Sequence, residues 1–104
     1  MKIIQELSEN IEDEISDAHK YAKLALEYKD TNQTLAEMYF KLSNEEMGHM
    51  QTLHNQVVAI IDDYRKKTGD PPEAMQILYN ILHKKHIGDA AAVKGMLSLY
   101  KGEK

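Results

Sequence analysis

Apolar side chains recur along this chain every three to four residues, and polar breaks cut that rhythm into helical segments. Ile4, Leu7, Ile11, Ile15, Ala18, Ala22 and Ala25 predict a helix from about Ile3 to Lys29. Asp30-Thr31-Asn32-Gln33 supplies turn and cap residues, and Thr34-Leu35-Ala36-Glu37 has the form of a capping box, so a second helix is expected to begin between Thr31 and Thr34. It meets no breaker except Gly48 until Lys67-Thr68-Gly69-Asp70-Pro71-Pro72. At 1.5 Å per residue the two helices would be about 40 and about 50 Å long, and their short connection makes them antiparallel neighbours.

A third element is expected to open with Asp70 as N-cap and prolines in its first turn, to bury Ala74, Ile77, Leu78, Ile81 and Leu82, and to end at Gly88. Asp89 would then cap a short last helix carrying Ala92, Val93, Met96, Leu97 and Tyr100. No strand pattern and no internal repeat competes with this reading. The expected fold is all-α and a single domain: a helical hairpin over residues 1–68 and a C-terminal helical arm over 69–104.

Alternating steps of four and three residues along the second helix trace Leu35, Tyr39, Leu42, Glu46, His49, Leu53, Gln56 and Ile60, a stripe expected to be buried. Glu46-Met47-Gly48-His49 interrupts it with a Glu-x-x-His pair. The first helix does the same: Leu7, Ile11, Glu14, Ala18, Tyr21, Ala25 and Tyr28 carry one carboxylate in an apolar or aromatic seam. An ionised carboxylate on such a seam is penalised by several kcal/mol unless a cation or donor stands beside it. Glu14 lies about 16 residues before the turn and Glu46 about 14 after it, which sets both at depths of about 24 and 21 Å. His49 shares Glu46's face one turn on, so the three side chains are expected to converge. Two carboxylates and one imidazole suit iron, manganese or zinc better than magnesium or calcium.

Composition removes other classes. The 104 residues hold no cysteine, which excludes disulfides, iron-sulfur clusters and thiolate-bound zinc and is compatible with a reducing cytoplasm. A net charge of -4 without a basic stripe argues against nucleic acid. The opening Met-Lys-Ile-Ile-Gln-Glu-Leu turns acidic too soon for a signal peptide, and no run approaches a membrane span, so no membrane partner is expected and the cytoplasm is the expected location.

Glu14, Tyr21 seven residues on, and Glu46-x-x-His49 together resemble the first half of the ferritin-like, rubrerythrin-like di-iron carboxylate proteins over roughly residues 1 to 66. That family surrounds two metals with two such Glu and Glu-x-x-His sets in a four-helix bundle. This chain carries one set. The resemblance therefore implies a half-length member, similar to the encapsulated ferritins, whose bundle is completed by a homodimer or higher homo-oligomer. It implies Glu14, Glu46 and His49 as metal ligands and catalytic residues of a centre with two irons per dimer, manganese or zinc being alternatives. Tyr21 and Tyr39 would stand just outside it. Ferroxidase or peroxide-linked oxidoreductase activity follows from the same resemblance. The cysteine sites that feed electrons to rubrerythrins have no counterpart here. Gly95-Met96-Leu97-Ser98-Leu99-Tyr100-Lys101 is faintly similar to peptides that direct cargo into encapsulin shells.

The plainer alternatives are a metal-free helical scaffolding module, whose seam carboxylates pair with His, Lys or Tyr, and metal storage or sensing without turnover. Glu45 is expected to be solvated, and of Glu45, Asp13 and Asp17 only Asp17 is kept as an outer neighbour of the site. His19 and His54 are expected at the surface. His83 and His86 share a helix face, but Lys84 and Lys85 beside them disfavour a cation, so a structural or surface role is expected.

Overall fold

The computed structural model describes residues 2–69 and 72–102, and over them the chain is three helices: α1 (Lys2–Tyr28), α2 (Gln33–Thr68) and α3 (Glu73–Lys101). No strand occurs among the described residues. The hairpin of α1 and α2 is the expected one, and the molecule is a rod of 56 × 20 × 18 Å. Asn32, not the Thr34 box, opens α2. Its side-chain oxygen accepts the amide of Leu35 at 3.1 Å, the reach an N-cap has to the third helical residue. Gly69 closes α2 at φ 85°, where a side chain would be strained, and its amide donates to Arg65. Asp70, the expected cap of the next helix, lies outside the described residues; Pro72 stands at that N-cap without a side-chain hydrogen bond.

The C-terminal part departs from expectation. The two short helices predicted on either side of Gly88 are one continuous helix, α3. A glycine inside a helix costs about 1 kcal/mol, and tertiary contact offsets it: His86, Ala90, Val93 and Leu97 are buried on the far side of that glycine from solvent. Asp89, read as a cap, instead pairs with Lys85 at 3.0 Å across the Gly88 turn. Ile77 and Ile81, expected in the core, are exposed, Leu82 is half-buried, and the side chains of Ala74 and Leu78 lie outside those described.

α3 folds back as a third rod. Tyr100 stacks on Phe40 with ring centres 4.6 Å apart, and the Lys29 ammonium reaches the Leu99 carbonyl at 3.4 Å, so the C-terminus of α3 sits by the hairpin turn. Lower down, Lys85 pairs with Glu12 at 3.4 Å. α3 thus covers the flank of the hairpin that carries Glu12 and Ile15 on α1 and Phe40 on α2.

Small residues let α1 and α2 approach closely. Ala18, Ala22, Ala25, Ala36 and Ser43 are all buried, and the Ser43 hydroxyl donates to the Ala18 carbonyl at 2.7 Å. Ala18→Leu forces this crossing apart. The expected loss is about 1–3 kcal/mol, read as a lower urea midpoint, while a leucine at exposed Ala91 leaves it unchanged.

This close crossing rotates α2. Its fully buried line is Ala36, Ser43, Met50, Val57 and Ile61. The stripe of larger residues read from the sequence, Leu35, Leu42, Leu53 and Ile60, is only half-buried and lies one position round the helix, on the flank away from α3. On this side Leu35 and Leu42 are partly uncovered, while Leu53 and Ile60 pack against the edge of the core.

Candidate metal centre

The flank away from α3 is where the expected ligands meet. Glu14 of α1 and Glu46 and His49 of α2 each present a donor atom, and these atoms all lie within 4.8 Å of one another. Among the described residues this is the one group of three acidic or histidine side chains gathered so closely. His49 Nδ1 stands 3.3 Å from a Glu14 carboxylate oxygen and 3.7 Å from one of Glu46. The fixed rise of two antiparallel helices and a short turn brings residues 14 and 46 to one level.

The site is at an edge, not in the core that the stripe reading implied. The side chains of Glu46 and Glu14 are 19% and 27% exposed, and that of His49 is 61% exposed. Even so, the Glu14 carboxyl beside Glu46 keeps it from ionising freely. The hydrogen bond with Glu14, then burial, then Glu14's negative charge push the Glu46 carboxyl from 4.5 up to about 7, with His49 opposing and Asp17 adding to the rise. Glu46 therefore keeps its proton well above the pH at which an ordinary glutamate has lost it.

The surroundings follow the expected pattern in part. Asp13, Asp17 and Glu45 are exposed. Tyr21 and Tyr39 stack with centres 6.0 Å apart, and Tyr28 joins them at 6.3 Å from Tyr39, forming an aromatic run toward the hairpin turn. Among the described residues neither Tyr21 nor Tyr39 hydrogen-bonds to the three donors.

A second histidine group, which the sequence did not bring together, lies on the other flank. His54, expected at the surface, is half-buried and stacks on His83 of α3 at 4.9 Å, and Tyr79 stacks on His83 at 5.4 Å. His86 is buried. Burial holds both His54 and His86 below the usual histidine range, with the neighbouring His83 also lowering His54 and Glu12 opposing the shift at His86. His19 is exposed, as expected. No sequence signal short of knowing where α3 docks joins position 54 to positions 83 and 86.

No protein-family model, curated protein or solved structure matches this chain. No helix among the described residues is long and apolar enough to cross a membrane.

Proposed function

We propose that two copies of this chain pack through the flank away from α3, in the manner of a ferritin-like bundle, and form a carboxylate-bridged two-iron centre from Glu14, Glu46 and His49 of each. The activity proposed is ferroxidase or peroxide-linked oxidation, in a reducing cytoplasm where Fe(II) is the available form. The observation that carries this reading is the convergence of two carboxylates and an imidazole within 4.8 Å on the partly uncovered flank away from α3. The donor set fits a metal of this kind: hard carboxylate oxygens favour the ferric state, and the imidazole adds selectivity for a transition ion over magnesium or calcium.

Two irons held together supply two electrons to one oxidant when bound. The chain's own part is binding and exclusion. Glu46 gives up its shared proton as the cation enters, Glu14 orients His49 through the 3.3 Å contact, and the stacked tyrosines with Leu35 and Leu42 keep water from the turn-side approach. A second copy would cover Leu35, Leu42, Leu53 and Ile60 and complete a six-ligand set.

The same 3.3 Å contact between Glu14 and His49 favours the metal-free scaffold, because it satisfies both groups without a cation. Iron content separates the two. After anaerobic Fe(II) loading and desalting, the parent is expected to hold about one iron per chain and Glu46→Ala almost none. If the parent too comes through without iron, the three residues are a structural polar cluster and the scaffold stands.

A further inference from the structure

Opposite α2, α3 is held through aromatic stacks, Phe40 on Tyr100 near the hairpin turn and His54 on His83 further down. Beside the histidine pair lies a cleft of about 210 Å³ whose lining includes His54, His83, His86, Met50 and Lys94. His86 is 5% exposed, and its Nε2 is buried without a hydrogen-bond partner. The nearest carboxylate oxygen, on Glu12, is 3.7 Å from that nitrogen, beyond hydrogen-bond length. A buried imidazole without its partner is an uncommon feature that asks for a cause.

We infer that His54, His83 and His86 form a second metal site, made of imidazoles alone, which takes Zn(II) or a similar divalent transition ion and ties α3 to α2. The spacing of three residues sets His83 and His86 on one face of α3, and the stack sets His54 of α2 against them. A neutral imidazole has one N–H and one lone pair. His86 lines the same cleft, and its buried Nε2 is the ring nitrogen left without a partner. Three nitrogens with a water in the fourth position make a common open zinc set.

The lysines that disfavour a cation in the sequence matter less in the fold. Lys85 is turned to Glu12 and Asp89, at 3.4 and 3.0 Å, so its charge is offset on the α1 side of the helix. Lys94 is the cation at the cleft itself, and its exposed, flexible stem lets the ammonium swing away. The three imidazoles are more widely spread than the Glu14 group, so metal entry turns His54 and His83, both half-buried, out of their stack toward His86. That closure joins the helices where their contact is otherwise a pair of stacked rings.

The site shares no residue with Glu14, Glu46 and His49 and needs no second copy. Zn(II) is therefore titrated calorimetrically into the full chain carrying Glu14→Ala and His49→Ala, with folding checked by circular dichroism. The expected result is about one Zn(II) per chain, a raised melting temperature, and slower amide exchange in α3. Co(II) in the same variant is expected to give the intense visible absorption of a low-coordinate site. Adding His54→Gln or His83→Gln, both at half-exposed positions that tolerate change, removes all three effects. No Zn(II) bound, weak Co(II) absorption, or binding that survives both glutamine changes overturns the inference. Zn(II) bound here in a parent that takes no iron leaves this site standing and the iron centre refuted.

Discussion

In metal-free protein above about pH 7, Glu46→Gln is expected to be more stable than the parent by about 1–3 kcal/mol, and this advantage is expected to vanish below about pH 4.5. The sign follows from the proton that Glu46 shares with Glu14. Its pKa is about 7 in the folded chain and near 4.5 once unfolded, so between those values the folded state holds a proton that the unfolded state has released. Stability contributed by the group is complete below 4.5, falls as pH rises through that window, and stays low above it. Glutamine supplies an N–H donor in place of the carboxyl proton and keeps the shape without the charge. The partial exposure of Glu46 reduces the effect below what the full shift would give. Urea unfolding of both proteins across the pH range measures it. Adding Fe(II) anaerobically at high pH is expected to reverse the order, because a cation bound only by the folded parent stabilises that state alone. A stability difference independent of pH would show that the two carboxyls do not share a proton.

The same two carboxylates explain why the site could be found before the fold. Helical rise is constant, so counting from one short turn was enough to bring residues 14, 46 and 49 to one level. The core of α1 was as readable, because Ile4, Ile11, Ile15 and the alanines repeat without interruption. α2 was misread by one position for a physical reason. Its buried line includes Ala36 and Ser43, which are inside because they are small and let the helices touch, whereas hydropathy follows the larger Leu35, Tyr39 and Leu42. What looked like a core stripe is the half-buried edge of the core. In α3 local rules gave way to tertiary ones: Gly88 is a plausible helix end until His86, Ala90 and Val93 bury themselves against the hairpin. The grouping of His54 with His83 and His86 depends wholly on that docking, which no spacing along the chain encodes.

Leu42→Glu is expected to leave each chain folded, to abolish self-association, and to bring iron oxidation down to the rate of Fe(II) in buffer, although Glu14, Glu46 and His49 are all intact. Leu42 is half-buried one turn before Glu46 on the flank away from α3, where the proposed second copy would seat. Within one chain the change is mild. A glutamate four residues from Glu46 costs about 0.2–0.5 kcal/mol by like-charge repulsion, and its carboxylate can point to water. Across a two-fold axis it is severe, since each copy would bury a new charge against the apolar side of the other. Glutamate is preferred to lysine because an ammonium at this spacing would pair with Glu46 and imitate the loss of metal. Light scattering gives the mass, and oxygen uptake with Fe(II) gives the rate. A monomer that still oxidises iron at the parent rate would mean that three ligands from one chain suffice and the shared centre is wrong. A dimer that persists in Leu42→Glu would put the contact between copies on another face and leave the site without its second half.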